Sequence, residues 1–437
     1  MARHGGDNYP SIATTNILVF GVLYIKQTSG IVVCSKGLSN KMYYRVSTFA
    51  QYHGIPLLFY TALALLMTWP LMAQFTTAVP GAAYDSWQNM WNMWWFKEAL
   101  LRGQNPYYTT AIYYPHGTSL LLHTFNPINF LISFPVQALF GLVAAYNFVI
   151  IFSLSVSGYT AYLLAKDVTN DSHAALVAGT IYATSGYLLT QVYGGHTHMM
   201  AAEWLPLAVL LLRRARLSPD WRNMLSAGLV VAINVLCDWQ YFLFALLWGA
   251  WYTLAQVWSR RRIQAILPIS LSLGFAMLLV LPLLIPTARL AARTPTAATE
   301  GGPGFRLEHS ADLADFLIPG QLHPVWGEAA AQAQQYKART HIQNKTAYLG
   351  VVTLSLAVFG VRRRRGGFWL ASAVVFGVMA MGPRLQLFGT ITDIPLPGAV
   401  LYEMPLVRIS RYPIRFVVLT MLALSVLAAL GTQRLLS

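Results

Sequence analysis

Long apolar runs separated by short polar stretches dominate this chain. A helix needs about 20 apolar residues to cross a hydrocarbon layer of roughly 30 Å. The segments that reach or approach this length are 55–75, 145–164, 174–192, 199–212, 223–236, 241–258, 266–290, 347–361, 368–381 and 416–430. The pattern therefore predicts an all-α polytopic membrane protein with about ten transmembrane helices.

A further apolar run, 126–143, decides the orientation, since counting it as a span reverses every later loop. It contains two prolines and lies directly before the span at 145. If it does not span, the loops 213–222, 260–262 and 362–365 face the cytoplasm, and they hold eleven arginines and one acidic residue. Cytoplasmic loops collect Lys and Arg, so we interpret 126–143 as an interfacial helix on the outer side.

With this orientation the large outer loops are 76–144, 291–346 and 382–415. Residues 1–50 show weak periodicity, and their apolar stretch 17–24 is too short to span. We expect a poorly structured leader that is not native if translation starts at Met42. The transmembrane domain is predicted at 51–437, and its last span ends close to the chain end, which suggests truncation.

Composition supports a membrane protein and excludes an ordinary soluble enzyme. The chain is 56% apolar and 10% charged, with a mean hydropathy of +0.49, whereas soluble domains are nearer a quarter charged. The formal net charge of +15 does not indicate nucleic-acid binding, because the polar surface is small. Cys34 and Cys237 are too far apart in sequence to indicate a disulfide framework or a zinc site.

The first outer loop contains an acidic residue directly before an aromatic helix. Asp85 precedes a predicted helix that runs to residue 101 and carries five Trp and Phe rings between Trp87 and Phe96. Aromatic rings prefer the head-group region, so this helix is predicted to lie along the membrane surface. Asp85 is a candidate catalytic residue, and the alternative is an N-cap that binds backbone N–H groups.

Several short motifs in this arrangement resemble those of the GT-C superfamily of membrane glycosyltransferases. This superfamily includes protein O-mannosyltransferases, the aminoarabinose transferases of lipid A and YfhO-like bacterial relatives. The motifs are Tyr114-Pro115-His116-Gly117, Phe140-Gly141 followed by Ala145-Tyr146-Asn147, Gly195-His196 before Trp204-Leu205-Pro206, and Arg411-Tyr412-Pro413-Ile414-Arg415-Phe416.

The resemblance implies a GT-C-like bundle with juxtamembrane helices in the long first outer loop. It also implies transfer of a sugar from a polyprenyl-phosphate donor to an acceptor on the outer face of the cytoplasmic membrane. Asp85 matches the family's first-loop acid, which takes a proton from the acceptor or helps bind a metal. Relatives often have a second acid where this chain has His196 and His198, so either histidine or Glu203 could replace it.

Two further acidic side chains are candidates for substrate binding. Glu203 falls inside a predicted span, where an ionisable group is costly and usually faces a cavity or a partner. The alternative is a structural acid bonded to a neighbouring helix. Asp238 lies on the outer side between two spans, and its alternative role is a helix cap. His196 and His198 have no Glu at helical spacing, so a zinc site is not indicated.

Three arginines before the last span, Arg408, Arg411 and Arg415, are predicted on the outer side, against the usual charge bias. Guanidinium groups bind phosphate oxygens in pairs, which suits a polyprenyl-phosphate donor. The alternative is contact with lipid head groups. His116 and His123 in the first loop are binding candidates of lower rank.

The sequence contains no D-x-D pair of carboxylates, so a divalent-metal site lacks support and no cofactor is predicted. The expected partners are the lipid-linked donor and membrane lipids. Two alternative functions stay open, a transporter or lipid flippase that uses the intramembrane acids, and a non-catalytic GT-C-like protein. A transporter would be expected to show inverted repeats, and none is visible in the sequence.

Overall fold

A computed structural model describes residues 50–82, 85–260, 266–294, 302–335, 346–363, 365–404, 407 and 410–437. These residues are mostly helical, which is consistent with the predicted all-α fold. The predicted leader, apart from residue 50, and Arg408 lie outside the described residues.

The chain forms helices of very different length. They are α1 (Ile55–Met67), α2 (Ser86–Leu101), α3 (Pro127–Phe140), α4 (Leu142–Thr169), α5 (Ser172–Ala183), α6 (Gly186–Gly194), α7 (Thr197–Met200), α8 (Trp204–Leu217), α9 (Trp221–Ile233), α10 (Trp239–Arg260), α11 (Ile266–Arg293), α12 (Pro303–Glu308), α13 (Gly327–Ala333), α14 (Val351–Val361), α15 (Gly366–Ala380), α16 (Gly398–Leu401) and α17 (Val417–Leu436). A π-helical turn (Ala50–Gly54) precedes α1, and 3₁₀ turns occur at Leu71–Gln74, Asn234–Leu236, Leu313–Phe316 and Pro413–Phe416.

Two small antiparallel hairpins accompany the helices. In the segment 76–144, β1 (Tyr108–Thr109) pairs with β2 (Thr118–Ser119). Later in the chain, β3 (Arg384–Leu387) pairs with β4 (Thr390–Pro395), and the register shifts between Arg384 and Gln386.

Three helices in the described part of the chain are long and apolar enough to cross a membrane. They are α4, α11 and the last helix together with its 3₁₀ turn, Pro413–Leu436. Shorter apolar helices of 10–17 residues accompany them. This finding is consistent with membrane association.

Three predicted spans are interrupted, which corrects their boundaries. The run 199–212 is divided between α7 and α8, because residues 201–203 are not helical. The run 55–75 leaves the helix at Met67, two residues before the Trp69–Pro70 bond, because proline lacks an N–H and disfavours a helical residue before it. The run 174–192 is divided into α5 and α6, with Ser185 as the N-cap of α6. Serine and glycine favour helix ends over interiors, so Ser185 and Gly186 mark this break.

The ambiguous run 126–143 forms a helix of its own, as expected. Asn126 caps α3 by accepting a hydrogen bond from the Asn129 N–H at 3.3 Å. Gly141 separates α3 from α4 with a φ of +88°, a conformation that suits glycine. At 1.5 Å per residue α3 is roughly 21 Å long, which is shorter than the hydrocarbon layer. Its place at the interface stays a prediction.

The last helix forms the centre of the bundle, since 94% of its apolar window is buried. Its neighbour α14 approaches it closely through two glycines. A Cβ at Gly360 would lie 3.1 Å from the Gly431 nitrogen and against the Leu427 carbonyl group. Small residues at such crossings let helix backbones touch. In contrast, α11 is only 28% buried and lies at the edge.

Helix α10 connects two chemically different ends of the molecule. It starts beside Asp238, and Gln256 follows 18 residues later, a rise of roughly 27 Å. Gln256 borders a cavity with Arg213, Arg216 and Arg365. We call the end near Asp238 the acidic end and the end near Gln256 the arginine end.

Candidate functional site

Asp85 pairs with His196, a residue far from it in sequence. The Asp85 Oδ2 atom lies 3.1 Å from His196 Nε2, and the two side chains are 43% and 6% exposed. Asp85 occupies the N-cap position of α2, but its side chain makes no capping hydrogen bond. The Asp85 carboxylate therefore pairs with His196. Asp85 is the N-cap of α2 by its backbone position only, because its side chain does not bind the N–H groups of the helix.

A neutral amide holds the other side of the His196 ring. His196 Nδ1 lies 2.8 Å from Gln191 Oε1. The amide oxygen and the Asp85 carboxylate are both hydrogen-bond acceptors. The arrangement fixes the ring between two acceptors and leaves part of the carboxylate accessible.

The loop that carries His196 fits closely against the start of α2. Gly195 has a φ of +74°, and a Cβ there would lie 2.6 Å from the Ser86 backbone nitrogen. The Gly195 carbonyl accepts hydrogen bonds from Asn89 Nδ2 at 2.9 Å and from the Tyr146 hydroxyl at 3.3 Å. Thr197 donates to Asn89 Oδ1 at 3.0 Å. Asp85 precedes Ser86 and His196 follows Gly195, so these contacts set the distance between Asp85 and His196.

Positive groups hold the Asp85 carboxyl in its charged form. The hydrogen bond with His196 lowers the pKa of Asp85, and the charges of His196, Arg415 and His123 lower it further, while burial acts in the opposite direction. Burial lowers the pKa of His123, whose Nε2 lies 3.0 Å from Asn92 Oδ1. Asp85, which precedes α2, and Arg415, which precedes the last helix, therefore interact electrostatically.

Arg415 is held by Gln240, near the start of α10. Arg415 Nη1 donates to Gln240 Oε1 at 3.0 Å, and the guanidinium lies 4.1 Å from the centre of the Tyr412 ring. The Gln240 backbone N–H donates to Asp238 Oδ1 at 2.7 Å, so the predicted alternative of a helix cap holds for Asp238. Burial raises the pKa of Asp238, and the charges of Arg415 and Arg411 oppose that shift.

A narrow cleft at the acidic end lies between the segment 107–125 and the start of α10. His123 and Tyr107 line one side, and Asp238 and Trp239 line the other. Its volume is about 20 Å³, which is room for roughly one water molecule. His123, a binding candidate of lower rank in the sequence analysis, therefore lines the same cleft as Asp238.

The structure places the other predicted residues differently. His116 is exposed, and the Tyr108 hydroxyl donates to its backbone carbonyl within the first hairpin. The His198 ring is buried 5.8 Å from the His196 ring, and neither His198 nitrogen has a described hydrogen-bond partner. Glu203 is fully buried at the start of α8, where Ser153 donates to its Oε1 at 3.5 Å. These contacts bring neither His116 nor Glu203 to the Asp85–His196 pair.

Sequence reasoning missed three amides that orient the charged groups. Gln191 holds His196, Asn92 holds His123 and Gln240 holds Arg415. All three are buried, and a buried amide is costly unless it is bonded. An Asn or Gln inside an otherwise apolar or aromatic run was the signal that could have identified them.

The described residues contain no group of three or more His, Cys, Asp or Glu side chains placed to hold a metal ion. No protein-family model matches the chain, and no curated protein is significantly similar to it.

Proposed function

We propose that the protein is a GT-C-type membrane glycosyltransferase that moves a sugar from a polyprenyl-phosphate donor to an acceptor on the outer face of the cytoplasmic membrane. One observation carries the proposal. The partly exposed, charged Asp85 carboxylate is held by the buried His196 and lies within the electrostatic reach of Arg415. A base next to a phosphate-binding cation is the combination that this transfer needs.

In the proposed reaction, Asp85 takes the proton of an acceptor hydroxyl while the hydroxyl oxygen attacks the anomeric carbon. The bond from this carbon to the phosphate oxygen breaks, and its electron pair leaves with the polyprenyl phosphate. Arg415 and Arg411 stabilise the charge that develops on the phosphate. Direct displacement inverts the anomeric configuration. His196 keeps the Asp85 carboxylate ionised and oriented.

The proposal includes a bundle of about ten spans with the acidic end outside. The three long apolar helices and the shorter ones support it, and the arginines at the other end suit the cytoplasmic side. The test introduces Tyr114→Cys or Trp258→Cys into a chain that carries Cys34→Ala and Cys237→Ala. Tyr114 and Trp258 are 85% and 82% exposed in the structure. The two introduced cysteines should be labelled from opposite sides of the membrane. Labelling of both from one side would refute the arrangement.

The catalytic role is tested with Asp85→Asn in membranes supplied with radiolabelled polyprenyl-phosphate sugars. We expect transfer to fall roughly 10²–10⁴-fold, the usual contribution of a general base. Glu98→Gln is the matched control, because Glu98 lies on the same helix and pairs only with Arg102 among its described ion pairs, at 3.1 Å. Equal transfer by the two variants would remove Asp85 from the mechanism.

A transporter or lipid flippase is the second candidate, and Glu203 is the observation that favours it. The Glu203 Oε2 atom is buried without a described hydrogen-bond partner, as expected of an acid that exchanges a proton or an ion. In proteoliposomes, a lipid or ion flux that is lost in Glu203→Gln and unaffected by Asp85→Asn would favour transport. A protein without either activity would fit the non-catalytic alternative.

A further inference from the structure

A second cavity lies at the arginine end, away from Asp85. Its volume is about 640 Å³, which is within the range of roughly 300–1,000 Å³ typical of sites for small molecules. Residues of α4, α8, α10 and the start of α15 form its walls. It is therefore large enough to accept a lipid head group.

The arginines at this cavity exceed the acids that could neutralise them. Asp167 is shared between Arg213, at 2.8 Å, and Arg214, at 3.1 Å. Arg216 donates to the neutral Gln256 at 2.7 Å, and Arg365 donates to a backbone carbonyl. In the part of the chain that the structure describes, neither Arg216 nor Arg365 forms an ion pair with a carboxylate. The site therefore carries uncompensated positive charge.

Two buried polar atoms beside the cavity have no described hydrogen-bond partner, Arg216 Nε and the Tyr252 hydroxyl. Both residues line the cavity, and the Arg216 guanidinium lies 5.8 Å from the centre of the Tyr252 ring. Both atoms are donors, and a buried donor without a partner is unfavourable. An oxygen-rich anion would satisfy both.

Part of the cavity wall is aromatic, since Trp248, Phe368 and Trp369 line it. Trp248 is 1% exposed and stacks on Phe376 with 5.3 Å between ring centres. Phe368 contacts Tyr252 edge to face at 5.4 Å. A ligand that fits has an anionic, hydrogen-bond-accepting group near the arginines and an apolar part beside the rings.

We propose that this cavity binds the phosphate group of an anionic membrane lipid, with Arg216, Arg365 and the Tyr252 hydroxyl as its ligands. Bilayer lipids combine a phosphate with apolar chains, and the apolar helices of this protein place it among them. Guanidinium groups bind phosphate through paired, charge-assisted hydrogen bonds. The site is independent of the proposed sugar transfer, because it lies at the other end of α10.

The test measures lipid retention by the full-length protein in neutral detergent, using native mass spectrometry with phosphatidylglycerol and phosphatidylcholine. We expect preferential binding of phosphatidylglycerol that weakens roughly tenfold in Arg216→Gln, since one charge-assisted bond is lost. Arg365→Gln and Tyr252→Phe should also weaken it. Arg365 is exposed, so its substitution tests the site even if Arg216→Gln unfolds the protein. Thermal melting identifies any variant that fails to fold.

Arg222→Gln is the matched control. Arg222 lies at the start of α9, directly after α8, and is not among the residues that line the cavity. Its guanidinium lies 5.3 Å from the centre of the Trp221 ring. Lipid binding by this variant should equal that of the unmodified protein. An equal loss in Arg222→Gln and Arg365→Gln would show a general charge effect and refute the site. Unchanged binding in Arg365→Gln and Tyr252→Phe would also refute it. Displacement of the lipid by inorganic phosphate, with the same dependence on Arg365, would assign the site to soluble anions instead.

Discussion

Substitution of Gly195 by alanine tests whether the loop before α7 sets the Asp85–His196 pair. Gly195 has a φ of +74°, and its added Cβ would lie 2.6 Å from the Ser86 backbone nitrogen. Atoms in ordinary contact are roughly 3.5–4.0 Å apart, so the two segments must separate by roughly 1 Å. Asp85 precedes Ser86 and His196 follows Gly195, so their 3.1 Å contact lengthens.

Two effects contribute to the loss of stability in Gly195→Ala. A left-handed backbone costs an alanine roughly 1–2 kcal/mol, and the forced collision adds roughly 1–3 kcal/mol. We expect the free energy of unfolding to fall by about 2–5 kcal/mol in total. We also expect the proposed transfer to slow by about 10²-fold, because a displacement of this size misplaces the base.

The assay compares thermal unfolding in detergent for Gly195→Ala and two controls. Gly103→Ala has the same left-handed backbone, with a φ of +63°, but no atom within 4 Å of its Cβ. Gly186→Ala has neither the strain nor a contact. The melting temperature should fall most in Gly195→Ala, less in Gly103→Ala and least in Gly186→Ala. If Gly195→Ala and Gly103→Ala have the same melting temperature, the collision with Ser86 has no energetic effect and the prediction is wrong.

Three more predictions concern charge and packing. The ion pair lowers the pKa of Asp85 in the folded state, so its stabilisation is complete above the unfolded pKa of about 3.9 and disappears as the pH falls through the folded value. The difference in melting temperature between the unmodified protein and Asp85→Asn should therefore shrink in acid, and a constant difference would contradict this. Arg415→Gln removes a charge that lowers the same pKa, so the acid limb of the pH profile of transfer should move to higher pH, and an unmoved limb would exclude the coupling. Gly431→Leu places a Cβ against the Leu356 carbonyl group and should cost about 1–3 kcal/mol on denaturation, whereas Gly367→Leu, with open space around it, should not.

The apolar pattern predicted helices correctly and their ends less well. Hydropathy averages over a window, so the run 174–192 looks continuous although Ser185 starts a new helix. The same averaging hid the end of α1 at Met67. The backbone preferences of individual residues decide where a helix breaks, and a count of apolar residues carries no information about these preferences. The run 126–143 forms a separate helix, as expected, and the interfacial position inferred from the charge asymmetry stays a prediction.

The sequence alone determined that this protein is helical and apolar, because long runs without charge bury their backbone polar groups only by forming helices in an apolar environment. It also identified Asp85, His196 and Arg415 as candidates by residue type. Only the tertiary structure decided which of them meet. A carboxylate before a helix looks the same in sequence whether it caps that helix or pairs with a distant ring, since hydrogen bonds and ion pairs depend on distances between atoms. The cavity at the arginine end is likewise formed by four separate helices, and no local pattern encodes their packing.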